Sequence, residues 1–253
     1  MFALINLFKR IFQLKLMEKY QENFVRILAK SGALRFDRGL KLNDGRDTPY
    51  FLDIGKTLIG HWMKEIGDAY AIMIHEKIEN DGLEVNTLYG PSYEGIPVSI
   101  LTATSLENYG MDVSCVFDRK EEKMHGEKGI FVGDFPKNAN IYIVDDVLTS
   151  AQTKINALEK IVSYAEKNGR DDISVTGVGI AFDREQVNPE GNNPFEEFRD
   201  KTGILIDSIV CAKEAIDFLN SSRYPLMING KMEKMPLNIY HDFLDYMSQE
   251  GLK

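Results

Sequence analysis

From about residue 85 onward, short apolar segments of the sequence alternate with segments of helical periodicity. The apolar segments are VNTLYG, DVSCVF, NIYIVDD, ISVTGVGIAFD and GILIDSIVCA. Two of them are followed by segments typical of helices, at 95–109 and 152–167. Strands that are apolar throughout are buried on both faces, so the alternation predicts an α/β fold with a central parallel sheet flanked by helices. In such sheets, ligands bind beyond the carboxyl ends of the strands.

A chain of 253 residues could hold one large α/β domain or two small ones. No internal repeat, low-complexity tract or linker divides the sequence, so we predict a single domain over 17–253. A helix at 17–31 and strand-like pieces around the turn at 43–45 should form a small N-terminal subregion. Further helices are predicted at 62–80 and, at the C-terminus, at 237–249.

Residues 1–16, MFALINLFKRIFQLKL, form an apolar and basic extension whose role the sequence does not define. Lys9 and Arg10 interrupt the apolar run, which is therefore too short to span a bilayer. No small-residue cleavage site follows it. An interfacial amphipathic helix is one interpretation, but an additional packing helix or sequence upstream of a start at Met17 is favoured over it. We therefore predict no membrane partner.

The formal net charge of −9 argues against a general nucleic-acid-binding protein, which needs a basic surface. Cys115 and Cys211 both lie in apolar, strand-like surroundings. Buried, reduced thiols are favoured over a disulfide, and they suit a cytoplasmic protein.

The segment IYIVDDVLTSAQTK, residues 141–154, ends an apolar strand in two aspartates and then enters a helix. Adjacent carboxylates repel each other and lose hydration when buried, so Asp145 and Asp146 suit a strand end that binds a ligand. The hydroxyl-rich run 149–153 offers backbone N–H groups and the helix dipole to a phosphate. The carboxylates could take ribose hydroxyls or Mg²⁺. Alternatively, the hydroxyls only cap the helix and the aspartates form a solvated turn.

A second polar segment, DRKEEKMHGEKG at 118–129, concentrates positive charge in a chain that is acidic overall. Arg119, Lys120, Lys123 and His125 lie within seven residues of one another, and two glycines nearby permit movement. Such a cluster is matched to a polyphosphate. The alternative is an ordinary solvated loop, because three glutamates nearly cancel the charge.

The strand, the paired acidic residues and the hydroxyl-rich loop together resemble the 5-phosphoribosyl 1-diphosphate (PRPP) signature of type I phosphoribosyltransferases. That signature alone would also admit transferases for purines and uracil. Segment 118–129 is similar to the catalytic loop of orotate phosphoribosyltransferases, whose pattern is met by Arg119, Lys120, Glu121, Lys123, His125 and Gly126. Segments 45–55, 89–97 and 181–185 also resemble that family, and the likeness spans about residues 17–215.

The resemblance implies a type I phosphoribosyltransferase fold with a small N-terminal hood and a mobile catalytic loop. It implies transfer of phosphoribosyl from PRPP to orotate, which gives orotidine 5′-monophosphate and pyrophosphate in UMP biosynthesis. Mg²⁺ is the implied cofactor, held by the pyrophosphate and ribose of the substrate, and Asp145 and Asp146 could add ligands. The implied assembly is a cytoplasmic homodimer with shared active sites.

The resemblance also assigns roles to individual residues. The catalytic residues would be Arg119, Lys123, His125, Asp145 and Asp146. PRPP would be bound by Arg119, Lys120, Lys123, His125, Asp145, Asp146, Val147, Leu148, Thr149, Ser150, Ala151, Gln152 and Thr153. Orotate would be bound by Tyr50, Phe51, Thr149 and Arg184. From the residues alone, the two aromatic side chains could equally pack in the core, and Arg184 could form a local ion pair.

Three positions depart from the family pattern. Asn43 and Glu94 stand where lysines are frequent, and Ala151 stands where the phosphate loop usually has glycine. The lost charges should weaken contacts to pyrophosphate, and the lost glycine should restrict the approach of the backbone to phosphate. Two alternatives therefore stay open: a catalytically impaired regulatory protein that binds PRPP, and a type I transferase for another nucleobase.

Overall fold

The computed structural model describes residues 17–42, 44–123, 129–148 and 150–252, apart from the side chains of Glu122 and Lys123. The helices are α1 (Lys19–Ser31), α2 (Gly60–Asp81), α3 (Gly95–Leu106), α4 (Ala151–Asn168), α5 (Pro194–Thr202), α6 (Ala212–Ser221) and α7 (Leu237–Glu250). The strands are β1 (Leu34–Lys41), β2 (Asp47–Leu52), β3 (Thr87–Gly90), β4 (Ser114–Lys123), β5 (Gly129–Val132), β6 (Ala139–Val147), β7 (Ile173–Asp183), β8 (Ile206–Cys211), β9 (Pro225–Ile228) and β10 (Lys231–Lys234).

Several predicted features lie outside the described residues. They are the extension 1–16, Asn43, the loop residues His125 and Gly126, Thr149 and the side chain of Lys123. None of the described helices is both long and apolar enough to cross a membrane.

The main sheet has the strand order β5-β4-β3-β6-β7-β8. Only β5 runs antiparallel to its neighbour, and β3, β4, β6, β7 and β8 pair in parallel. One hydrophobic cluster includes side chains of α1, α2, α3 and α6, and a second includes Leu158 of α4 and Phe198 of α5. The apolar strands are buried because helices cover both faces of the sheet, which confirms the predicted α/β architecture. The parallel strands bring the ends of β3, β6 and β7 to one edge.

A second, four-stranded sheet has the order β10-β9-β1-β2, and we call it the hood. β1 and β2 form the antiparallel pair expected around the turn at 43–45. β9 joins β1 in parallel from the other end of the chain. The predicted N-terminal subregion is therefore correct for β1 and β2 but incomplete, because C-terminal strands supply half of the sheet.

The polar segment 118–129, which resembles a catalytic loop, is extended strand at both of its ends. β4 continues to Lys123 and β5 begins at Gly129, and these two residues pair across an antiparallel ladder. Pairing satisfies backbone groups that a loop would leave to water, so the polar side chains of 118–123 are carried on a strand.

Candidate active site

A cavity of about 690 Å³ lies at the carboxyl ends of β3, β6 and β7. Its lining combines residues of β2, the turns after β3 and β7, the end of β6 and the first part of α4, among them Phe51, Asp53, Ser92, Glu94, Asp145, Asp146, Val147, Thr153, Lys154, Lys160 and Arg184. A second cavity of about 300 Å³ shares Leu42, Thr153 and Arg184 with the first. The position at the strand ends is the one that the sheet topology predicts for a ligand.

The carboxylate pair lies at the end of β6, inside the larger cavity. Asp145 Oδ1 accepts the backbone N–H of Asp146 at 2.9 Å, and the hydroxyl of Tyr70 donates to the Asp145 carbonyl at 2.6 Å. Asp146 Oδ1 accepts the backbone N–H of Val147 at 2.6 Å. Burial raises the pKa of Asp146 to about 6, the neighbouring Asp145 adds to the rise, and the ammonium of Lys154 opposes it. The pair is thus fixed by backbone and ionic contacts and is not a solvated turn.

Lys154 is a cavity residue that our sequence analysis missed. It is only 3% exposed, and its ammonium forms an ion pair with Asp145 Oδ2. A signal was present, because Lys154 precedes the buried Leu158 and Ile161 by four and seven residues. A lysine on the buried face of a helix needs a specific partner, and the sequence contains one at the preceding strand end.

The N-terminus of α4 faces the same region. Ser150 precedes the helix in an extended conformation, and its hydroxyl makes no capping hydrogen bond. Thr153 lines both cavities, whereas Leu148 and Ser150 line the smaller one. Ala151 is 2% exposed, and the Gln152 amide is hydrogen-bonded to Asn156 on the helix surface. Backbone N–H groups of the first helical turn have no acceptor within the helix, so they can bind an anion.

Arg184 follows β7 and is held rigidly at the cavity wall. Its Nε donates to Gln186 Oε1 and its Nη2 donates to Thr48 Oγ1, both at 3.0 Å. Its guanidinium lies 4.3 Å from the centroid of the Tyr50 ring. No local ion pair of Arg184 is present among the described residues, although the sequence allowed one. The fixed guanidinium offers a binding site for a planar anion.

The two aromatic residues that were predicted to bind orotate lie in different environments. Phe51 lines the cavity, and the Arg35 guanidinium lies 4.7 Å from its ring centroid. Tyr50 has no exposed surface, and its ring contacts Phe182 and Phe243 in the core. The prediction that Tyr50 contacts orotate is therefore wrong, because side chains on one strand alternate between the two faces of a sheet. Tyr50 instead packs its ring against the Arg184 guanidinium.

The described part of the cationic loop does not reach this cavity. Arg119 Nη1 donates to the carbonyl oxygen of Phe131 at 2.7 Å, and Lys120 is exposed to solvent. Neither residue belongs to the described lining of the cavity. The structure thus brings together the carboxylates, the α4 N-terminus, Phe51 and Arg184, but not Arg119 or Lys120.

Two further charged groups lie at the cavity. Glu94, in the turn after β3, lines the cavity and its charge contributes to the raised pKa of Asp146. Lys160 of α4 pairs with the buried Asp118, which also accepts the backbone N–H of Ser92 at 2.8 Å. Glu94 therefore brings a negative charge to the side of the cavity where the family pattern often has a positive one.

The fold defines the class of protein. The chain is similar to the crystal structure of orotate phosphoribosyltransferase from Francisella tularensis, with a TM-score of 0.69, 22% identity, and coverage of 90% of this chain and 99% of that chain. It is also similar to Leishmania donovani UMP synthase, with a TM-score of 0.65, 19% identity, and coverage of 90% of this chain and 42% of that chain. These neighbours have the type I phosphoribosyltransferase fold, with a central, mostly parallel sheet flanked by helices.

Sequence relatives narrow the class to one family. The chain is 34% identical to the orotate phosphoribosyltransferase of Methylococcus capsulatus over 81% of this chain and 91% of that protein. It is 31% identical to the enzyme of Clostridium acetobutylicum over 91% of this chain and 99% of that protein. No protein-family model matches the chain. The chain belongs to the orotate phosphoribosyltransferase family.

Proposed function

We infer that the chain transfers the phosphoribosyl group of PRPP to orotate, which gives orotidine 5′-monophosphate and pyrophosphate for pyrimidine biosynthesis. The observation that carries this inference is the cavity in which the paired carboxylates, the α4 N-terminus and the fixed Arg184 guanidinium meet. Each of these three groups is complementary to one part of the two substrates. Membership in the orotate phosphoribosyltransferase family supports the same reaction.

The 5′-phosphate is proposed to bind at the α4 N-terminus, near Ser150 and Thr153. Uncapped N–H groups and the helix dipole favour an anion there. Asp145 and Asp146 would then hold the ribose hydroxyls from the end of β6. Contacts at these two places hold the anomeric carbon between the base and the leaving group. The entropy cost of orienting the reactants is then met when the substrates bind and not during the chemical step.

Charge separation in the transition state gives the remaining groups their roles. As pyrophosphate leaves, positive charge develops on the ribose and negative charge on the leaving group. The carboxylates of Asp145 and Asp146 are proposed to offset the positive charge on the ribose. The negative charge on pyrophosphate is proposed to be neutralised by the loop cations Arg119, Lys120, Lys123 and His125, once the loop closes over the substrate and excludes water.

Orotate is proposed to stack near Phe51 and to pair its carboxylate with Arg184. The guanidinium is held in one plane by Thr48 and Gln186, so a planar carboxylate can bind without reorganisation of the site. Arg184 thereby selects an acidic base over neutral purines and uracil, which lack the carboxylate.

Mg²⁺ is proposed to enter with the substrate. The carboxylate oxygens at the end of β6 suit this hard cation, but within the described residues no group of three or more His, Cys, Asp or Glu could hold a metal ion. Pyrophosphate and ribose oxygens would supply most of its ligands, and the bound ion would neutralise charge on the leaving group.

We also propose a cytoplasmic homodimer whose loops cover the neighbouring active sites. The described base of the loop agrees with this proposal, because neither Arg119 nor Lys120 lines the cavity of the same chain. Cys115 and Cys211 are both free, which suits a reducing compartment.

The direct test is orotate consumption, followed by its ultraviolet absorbance, after PRPP is added to the purified protein with and without Mg²⁺. We expect turnover that requires all three components and that fails when hypoxanthine, adenine or uracil replaces orotate. Turnover with another base would favour a transferase of different specificity. Calorimetric binding of PRPP without turnover of any base would favour the regulatory alternative, which the negative charge of Glu94 at the cavity supports.

A further inference from the structure

Lys154 lies at a position where both the helix dipole and burial disfavour a cation. It lies in the first turn of α4, at the positive end of the helix dipole, and it is only 3% exposed. Its helix face continues in the buried, apolar Leu158 and Ile161. A buried ion pair of this kind usually stabilises a fold no better than apolar residues of similar size. Stability alone therefore gives no reason for a lysine at this position.

The partner of Lys154 suggests another reason. Its ammonium pairs with Oδ2 of Asp145, whose Oδ1 accepts the backbone N–H of Asp146. The Asp145 carbonyl oxygen accepts the Tyr70 hydroxyl at 2.6 Å. Asp145 is thus held at both carboxylate oxygens and at its backbone, and Lys154 supplies the only one of these contacts that comes from α4.

The repulsion between the two carboxylates makes this contact necessary. Asp145 and Asp146 both line the cavity, and Glu94 adds a third negative charge to the lining. A carboxylate among like charges is pushed away from its neighbours unless a counter-charge holds it. The ammonium of Lys154 counters this locally, on the side of Asp145 that is packed against the helix.

We propose that Lys154 is a positioning residue for phosphoribosyl transfer, which fixes the Asp145 carboxylate in the orientation that meets the ribose hydroxyls. This proposal rests on the proposed function of the cavity. Because Lys154 belongs to the same helix whose N-terminus faces the phosphate, it also couples the ribose-binding and phosphate-binding parts of the site. Lys154 acts through Asp145 and does not itself contact the substrate.

The test compares four proteins: the wild type, Lys154→Met, Asp145→Asn and the variant that carries both changes. Methionine keeps the unbranched shape of lysine without its charge. Since misplacement of a catalytic group by about 1 Å can cost about a hundredfold in rate, we expect Lys154→Met to lower kcat by about 10- to 100-fold. The KM for orotate should stay within about twofold, because no orotate contact is lost. Lys167→Met, an exposed position on the same helix, is the matched control.

The doubly substituted variant separates an indirect role from a direct one. If Lys154 acts through Asp145, its removal from Asp145→Asn should lower kcat no further. An additional tenfold loss would overturn the proposal, as would a Lys154→Met variant with wild-type kcat. Lys154→Met alone could fail to fold because it leaves the Asp145 charge unpaired. The double variant has no buried charge at either position, so its kcat can still be compared with that of Asp145→Asn, and this comparison tests the proposal.

Binding of ribose 5-phosphate without metal, measured by calorimetry, gives a readout that does not depend on turnover. Lys154→Met should weaken this binding, and the two variants that carry Asp145→Asn should bind with equal affinity. Unequal affinities would contradict the positioning role. A wild-type protein that is inactive with every base would refute the proposed function instead, and the binding series would still test Lys154.

Discussion

Replacement of Arg184 by alanine should raise the KM for orotate far more than the KM for PRPP. The side chain is 6% exposed, and its guanidinium is fixed by Gln186, Thr48 and the Tyr50 ring. It lines both cavities at the end of β7, whereas the carboxylate pair lies at the end of β6. The substitution therefore removes an anion-binding group from one side of the site and leaves the ribose side intact.

The size of the effect follows from the contact that is lost. A hydrogen bond to a charged group contributes about 1.5–3 kcal/mol. Because about 1.4 kcal/mol corresponds to a factor of ten, the KM for orotate should rise about 10- to 150-fold. The KM for PRPP should change by less than about threefold, since PRPP makes its contacts elsewhere.

Initial rates with each substrate varied in turn, followed by orotate absorbance, measure both constants. Arg184→Ala removes the donor to Gln186 Oε1 and one of the two hydrogen bonds of the Thr48 hydroxyl, which still donates to the Tyr50 carbonyl oxygen, so its melting temperature must be recorded alongside. Thr48→Val is the matched control, because it removes the acceptor of Nη2 but keeps the guanidinium. We expect a rise in the orotate KM of less than about fivefold for this variant. Equal changes in both constants for a folded Arg184→Ala protein would refute the orotate assignment.

Three further predictions concern the site and the strand end beside it. Ala151→Gly should lower stability by about 1 kcal/mol through loss of a buried methyl but should not weaken PRPP binding, and calorimetry showing weaker binding would contradict this. Burial raises the pKa of Asp183 to about 6. Stability is therefore lost as the pH rises from the ordinary aspartate range through about 6, and Asp183→Asn should stabilise the protein by about 1–3 kcal/mol at pH 8 but not near pH 4, as urea unfolding can show. Refolding Lys123→Ala and Asp146→Asn subunits together should restore about a quarter of wild-type activity if sites are shared, whereas no recovery in proven mixed dimers would exclude shared sites.

Local sequence patterns determined the parts of the structure in which neighbouring residues decide the outcome. The strand ending at Asp145 and Asp146 and the helix after it were predictable, because an apolar run and a helical period are encoded within a few residues. β7 coincides with the apolar segment 173–183 for the same reason. Parallel pairing of such strands also fixed the edge of the sheet at which the cavity lies.

The short elements near the C-terminus were not predicted. β9 and β10 have only four residues each, too few to show a period. β9 is a strand because it pairs with β1, almost two hundred residues earlier in the chain. α5 did carry a local signal, since Asn193 caps it and Pro194 is its first residue.

The roles of Tyr50 and Lys154 were decided only by tertiary structure. Tyr50 is a core residue because α7, from the far end of the chain, packs Phe243 against it. Lys154 is a cavity residue because the helix that follows β6 folds back and brings its ammonium to Asp145, nine residues earlier. A sequence shows which side chains are available, but burial and charge pairing depend on which surfaces meet. These long-range contacts form only in the packed chain, because the local sequence of one segment does not show which distant segment it will contact.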